Sequence, residues 1–335
     1  MIISRTPFRV SFFGGGTDYP VWYRENGGAV LGTTIDKYCY ITCRLLPQFF
    51  EHKYRIVYSQ AELVRDIDEI HHPAVREALR FMRISEGMEI HHDGDLPART
   101  GLGSSSSFAV GLLHALYAFR GVMPSKMQLA KEAIYIEREV LKENVGSQDQ
   151  VLTAFGGLSR VDFIGEHNID VKPVIIKSQR IESLQSHLML FFTGFSRTAS
   201  EIAGEQIKKT PGKKRELAEM LRMVDEAINI LNSDRDLLDF GKLLHENWQL
   251  KRSLTDKVST PYTDFLYESA IKAGATGGKL LGAGGGGFML FFVRPELQGK
   301  VSEALHGIMQ VPFRFETSGS QIIFYEPDLS LEKST

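Results

Sequence analysis

The chain has 335 residues, 43% hydrophobic and 24% charged, with a formal net charge of -2 at pH 7. That length predicts two domains with real cores, and a balanced charge without long single-sign blocks argues against nucleic acid or an anionic membrane as the main partner. No stretch approaches the ~20 apolar residues of a membrane span, and Arg5 and Arg9 interrupt any signal-like start, so a cytoplasmic protein is expected.

Residues 2–13 are apolar and β-prone and stop at Gly14-Gly15-Gly16, which predicts a strand ending in a turn. Residues 29–46 alternate well enough for a second strand or a hairpin. Within them, Cys39 and Cys43 lack a second pair for a zinc site and could close only a tiny disulfide loop, so two half-buried thiols are expected. The polar stretch 89–101 reads as a loop feeding a helix that carries FAVGLLHALYAF. A further helix is predicted over 126–143, ending at Asn144 and Gly146. Short strands follow Gly156-Gly157 as far as HLMLFFTGF, and helical patterns then cover 212–232, 235–254 and 261–273. A glycine-rich turn over 274–288 opens onto the strand-like MLFFV. Strands and helices in both halves imply an α+β chain of two tightly packed domains, divided as 1–180 and 181–335.

The segment richest in chemistry is LPARTGLGSSSS, Leu96 to Ser107. Glycines let the backbone approach an anion closely, and a following helix aims free N–H groups at it. Serine hydroxyls add donors, and one can also ligate Mg²⁺. A triphosphate with its metal would use all of these together. The segment lacks the Gly-Lys-Ser/Thr of a Walker loop and the third glycine of a dinucleotide fingerprint. A serine-capped helix start is the plainer reading, though that needs one or two serines rather than four.

Pro97 to Ser107 resembles the nucleotide-binding motif of the GHMP kinases. Thr6-Pro7-Phe8-Arg9-Val10, with Phe13-Gly14-Gly15-Gly16-Thr17-Asp18-Tyr19, resembles that family's N-terminal substrate motif. KLLGAGGGG, from Lys279 to Gly287, resembles its C-terminal glycine-rich motif. The three, in this order, span almost the whole chain. The resemblance implies a two-domain α+β fold, ribosomal-protein-S5-like in its first domain and ferredoxin-like in its second. It also implies transfer of the γ-phosphate of ATP to a hydroxyl.

Residue by residue, the resemblance implies a phosphate cradle from Pro97, Gly101, Leu102, Gly103, Ser104, Ser105, Ser106 and Ser107. Asp149, in GSQDQ, would be the base, oriented by Arg9. Ser105 and Glu137 would hold Mg²⁺ through hard oxygens, while Glu139, two residues on, would face solvent. Gly15, Gly16, Thr17, Asp18 and Tyr19 would line the acceptor, with Asp18 accepting hydrogen bonds from sugar hydroxyls. Lys279, Gly284, Gly285 and Gly286 would close over the phosphate loop or the substrate.

Gly15 and Gly16 stand where galactokinases carry Glu-His, which opens room for a bulkier acceptor. FFGGGTDYP, GSQDQ, FFTGFSRTAS and TGGKLLGAGGGGF look most like the branch acting on D-glycero-D-manno-heptose 7-phosphate. That likeness implies transfer to the anomeric hydroxyl, giving a 1,7-bisphosphate for nucleotide-heptose and surface-glycan synthesis. A phosphorylated sugar calls for a second basic contact, from Arg99, Arg197 or Lys279. A fucose- or galactose-type sugar-1-kinase and a non-catalytic nucleotide- and sugar-binding sensor are the alternatives. A homodimer is compatible with these features.

Overall fold

The computed structural model describes residues 1–98, 100–166, 168–194 and 199–326. Its strands begin with β1 (Ile2–Phe13), β2 (Gly28–Leu45), β3 (Tyr54–Val57), β4 (Ala61–Val64), β5 (Met88–Gly94), β6 (Ser159–Ile164) and β7 (Asn168–Pro173). They continue with β8 (Leu188–Phe192), β9 (Ala275–Leu280), β10 (Phe288–Val293), β11 (Met309–Gln310), β12 (Phe315–Glu316) and β13 (Gln321–Tyr325). The first helices are α1 (Pro20–Asn26), α2 (Pro73–Phe81), α3 (Ser104–Phe119), α4 (Lys126–Tyr135), α5 (Gln148–Phe155) and α6 (Ser178–Ser186). The others are α7 (Ala199–Lys209), α8 (Lys214–Asn232), α9 (Leu238–Leu254), α10 (Pro261–Lys272) and α11 (Gln298–Ala304).

One sheet runs β13-β1-β2-β5-β3-β4, with β6 and β12 also paired to β2 and β7 paired to β6. Helices pack on β1, which is buried almost throughout although it carries Ser4, Thr6, Arg9 and Ser11 among its apolar residues. Pro7 has no N–H to give the ladder, and the β1–β2 register shifts between Pro7 and Phe8. Beyond that bulge, Arg9 and Ser11 lie two apart and share one face of the strand.

The expected loop over 89–101 is a strand in its first half, since β5 lies between β2 and β3. Its polar side chains find tertiary partners that local patterning does not reveal. Glu89 accepts from Arg44 and meets His91, and the His92 ring sits 4.8 Å from that of Phe108. Cys39 and Cys43 are free thiols buried completely rather than by half, and burial pushes the Cys43 thiol up to about 12.

The other sheet, β11-β8-β10-β9, is antiparallel throughout. The glycine-rich stretch expected as a turn begins as strand β9. A Cβ on Gly277 would stand 2.0 Å from the Gly241 carbonyl oxygen, so glycine here lets α9 lie directly on the strand. The helices expected over 212–232, 235–254 and 261–273 are α8, α9 and α10, with ends shifted by a few residues. β12 and β13 then return to the first sheet, β13 pairing with β1, so residues 181–335 do not keep to one sheet. One core, including Phe12, Phe13, Phe240 and Phe292, joins the two sheets, and a second gathers Trp248, Tyr267 and Phe291. The described chain is α+β, with the site at the junction of its sheets.

Candidate active site

α3 starts directly at Gly103, whose φ of 75° is a left-handed conformation that glycine adopts freely. No side chain caps this end, and a helix start of this kind presents its first N–H groups to an anion. The serines that follow divide their work. Ser105 Oγ donates to Glu137 Oε1 at 2.6 Å and Ser106 Oγ to Oε2 at 2.9 Å. Ser107 turns inward and donates to the Pro7 carbonyl at 3.0 Å.

The helix expected over 126–143 is α-helical only to Tyr135, and residues Ile136–Val140 form a π turn. Such turns recur at functional sites because they re-aim a side chain. Here the turn carries Glu137, only 1% exposed, which also accepts from Gln150 Nε2 on α5. Burial pushes the Glu137 carboxyl up to about 7, against the hydrogen bonds from Ser105, Gln150 and Ser106. Glu139 is half exposed and meets Arg138 and Lys142, as expected of a solvent-facing residue.

Arg9 grips Asp149 with two parallel contacts, Nε to Oδ1 at 2.7 Å and Nη2 to Oδ2 at 2.5 Å. Its Nη1 donates to the Gly101 carbonyl at 2.6 Å, tying this pair to the phosphate loop. Ser11, on the same strand face, donates to Gln148 Oε1 at 2.6 Å. The β1 face thus holds the first turn of α5.

Asp18 is buried and accepts from the Gly16 N–H at 2.9 Å and the Gln148 N–H at 3.4 Å, while burial raises its carboxyl. A Cβ on Gly146 would lie 1.9 Å from Asp18 Oδ2, so only glycine lets that loop pass the carboxylate. Burial and the nearby Asp18 and Asp149 carboxylates raise the Tyr19 phenol.

These walls enclose a cavity of about 430 Å³. Gly15, Gly16, Asp18, Tyr19, Arg9, Asp149, Gly101, Gly103, Ser104, Ser105, Ser106 and Lys279 all line it. Thr17, Pro97, Leu102, Ser107, Gly284 and Gly285 do not, and neither does Glu137, which lies behind the Ser105 and Ser106 hydroxyls it accepts from. Thr17 Oγ1 donates to the Gly14 and Ala29 carbonyls and so braces the turn from inside. Leu102 is core, and the Pro97 carbonyl accepts from Thr100. Gly284 lies against Val258, whose carbonyl accepts from the Gly285 N–H. Gly282 and Ala283 take their place along the cavity, and Gly282 abuts Gly101. Arg99 and Arg197 lie outside the described residues.

Sequence reasoning missed Lys251. This α9 residue lines the cavity and is 6% exposed, with Nζ donating to the Leu280 carbonyl at 3.1 Å and the Gly282 carbonyl at 2.5 Å. One signal was present, because Lys251 continues the helix stripe Phe240, Leu244, Trp248 and Leu254 that faces the core.

Residues 69–157 match the family model described as GHMP kinases N terminal domain, and residues 216–309 match that described as GHMP kinases C terminal. A D-glycero-alpha-D-manno-heptose 7-phosphate kinase of Campylobacter jejuni is 29% identical over 320 residues, covering 91% of this chain and 93% of that protein. A galactokinase of Thermotoga petrophila is 24% identical over 329 residues, covering 90% and 92%. Among solved structures, a D-glycero-D-manno-heptose 1-phosphate kinase from Bacteroides thetaiotaomicron superposes with a TM-score of 0.71 at 24% identity, covering 96% of this chain and 98% of that one.

Proposed function

Because this chain belongs to the GHMP kinases and is an ATP-dependent phosphotransferase acting on a sugar, we propose that its acceptor is D-glycero-D-manno-heptose 7-phosphate, phosphorylated at the anomeric hydroxyl. The observation that carries this reading is the acceptor wall. Gly15 and Gly16 line the cavity without side chains, next to a buried Asp18 and close to Lys279. The end-to-end likeness to the Campylobacter jejuni heptose kinase supports the same choice.

In this reading the nucleotide's phosphates sit on the Gly101–Ser106 loop at the start of α3. Glu137 and the Ser105 and Ser106 hydroxyls form a hard-oxygen donor set suited to Mg²⁺. Among the described residues no group of three or more His, Cys, Asp or Glu side chains gathers for a metal. That suits an ion that takes its other ligands from phosphate and water. When bound, Mg²⁺ would neutralise phosphate charge.

Asp149 would receive the proton of the attacking hydroxyl, with Arg9 fixing the plane of its carboxylate. Asp18 would orient the sugar by accepting from its hydroxyls. Phosphoryl transfer leaves most of its catalysis to positioning and electrostatics, which a site braced at every wall supplies.

A panel of heptose 7-phosphate, free heptose, fucose and galactose, with ADP release as the readout, tests the reading. Heptose 7-phosphate should give the highest kcat/KM. Equal rates on phosphorylated and free sugars would sink the acceptor assignment and leave the sugar kinase standing. Nucleotide binding without ADP release on any sugar would favour a sensor.

A further inference from the structure

Lys251 and Lys279 come from different elements, α9 and β9, yet both reach the same cavity with almost no exposure. Lys279 Nζ donates to the Phe12 carbonyl at 2.7 Å, and Lys251 Nζ donates to the two carbonyls already named. Each ammonium has three donors, so these bonds leave three N–H groups between them. Among the described residues neither lysine forms an ion pair with a carboxylate. The nearby carboxylates are engaged elsewhere, Asp149 by Arg9 and Asp18 by backbone N–H groups.

Two neighbouring buried ammonium groups, offset only by the Asp18 and Asp149 carboxylates that are already bonded elsewhere, are costly to keep. A cavity wall of this kind is completed by an anion, and a kinase brings phosphate. We infer that Lys251 and Lys279 together form a seat for a phosphate dianion. The inference rests on the kinase reading above, and it adds Lys251, which no motif points to. Burial, then the neighbouring positive charges, push both ammonium groups down, Lys251 to about 8, and a bound dianion would reverse that effect.

The dianion has two sources, the acceptor's own phosphate or the terminal phosphate of the nucleotide. Lys251→Met and Lys279→Met, which keep the volume and remove the charge, distinguish them in the full-length enzyme. Each should lower kcat/KM with heptose 7-phosphate by about ten- to a hundredfold, the range for a lost charge-assisted contact. If the acceptor supplies the phosphate, the loss is confined to heptose 7-phosphate and its advantage over free heptose collapses. If the nucleotide supplies it, kcat falls by the same factor with both sugars and the ratio is unchanged.

Each variant relieves a buried charge but leaves the Phe12 carbonyl, or those of Leu280 and Gly282, without its donor, so thermal melts establish first that each variant is folded. Unchanged kcat and unchanged sugar preference in folded variants would overturn the seat, and so would failure of both variants to fold. A wild-type enzyme with no preference for the phosphorylated sugar defeats the acceptor reading instead, and the seat is then judged on kcat alone.

Discussion

Asp149 lines the cavity, Glu137 is buried against the Ser105 and Ser106 hydroxyls that line it, and the two carboxylates are held by opposite means. Asp149 meets a guanidinium squarely and keeps 25% of its side chain exposed. Glu137 is buried and, among the described residues, meets no cation, only the hydroxyls of Ser105 and Ser106 and the amide of Gln150. A guanidinium fork sets the orientation of a carboxylate. Neutral donors around a buried carboxylate leave its charge poorly compensated until a cation arrives, and the Glu137 carboxyl is accordingly pushed up to about 7. Two carboxylates of similar chemistry thereby sit in different environments, which in the reading proposed above would suit one to a hydroxyl proton and the other to a metal.

The largest expected effect tests the Asp149 side. Asp149→Asn keeps the shape and removes the charge, so kcat should fall by about 10²–10⁴ while nucleotide affinity stays near normal. Steady-state kinetics and titration with a non-hydrolysable ATP analogue check this. Retention of most of kcat would move Asp149 from base to positioning group.

Gly146→Ala comes next, because its new side chain meets Asp18 and not Glu137. The new Cβ would collide with Asp18 Oδ2, so the acceptor loop must shift. A misplacement of this size costs up to about a hundredfold in kcat/KM for the sugar, with the KM for ATP nearly unchanged. An equal loss for both substrates would show that the two walls are not independent.

On the Glu137 side, Glu137→Gln and Ser105→Ala should each raise the half-saturating Mg²⁺ concentration by about tenfold. Glu139→Gln, changing a half-exposed side chain, should leave it alone. Equal responses from Glu137 and Glu139 would remove the contrast drawn above.

The smallest effect is one of pH on stability in metal-free buffer. The folded Glu137 carboxyl holds its proton up to about pH 7, above its ordinary 4.5, so the folded state binds more protons between those values. The stabilising contribution is present below about pH 4.5 and is lost as pH rises towards 7. Glu137→Gln lacks this loss, so its melting temperature should gain on the wild type across that window by a few degrees and then run parallel. Thermal melts at stepped pH read the difference, and curves parallel throughout would contradict the buried state of Glu137.

Much of this was legible in order along the chain. The run Ile2 to Phe13, the serine-rich start of α3 and the helices α8 to α10 announce themselves through local steric and periodic signals. Arg9, Asp149, Ser105 and Glu137 are singled out only through the resemblance of their segments to GHMP kinase motifs. Thr17, Ser107 and Gly284 also stand within motifs, yet their side chains or backbones serve the turn, strand and loop beside them rather than the cavity.

What the sequence by itself determined is therefore the first strand, the start of α3 and the helices α8 to α10, because glycine conformation, helix starts and apolar periodicity act over a few residues. Tertiary structure alone decided that Lys251 joins Lys279, that β5 and β9 are strands, and that β13 returns to pair with β1. Each depends on groups far apart in the chain, as with Ile2 opposite Tyr325, and no local pattern encodes which distant partner will satisfy a backbone N–H or approach a buried ammonium.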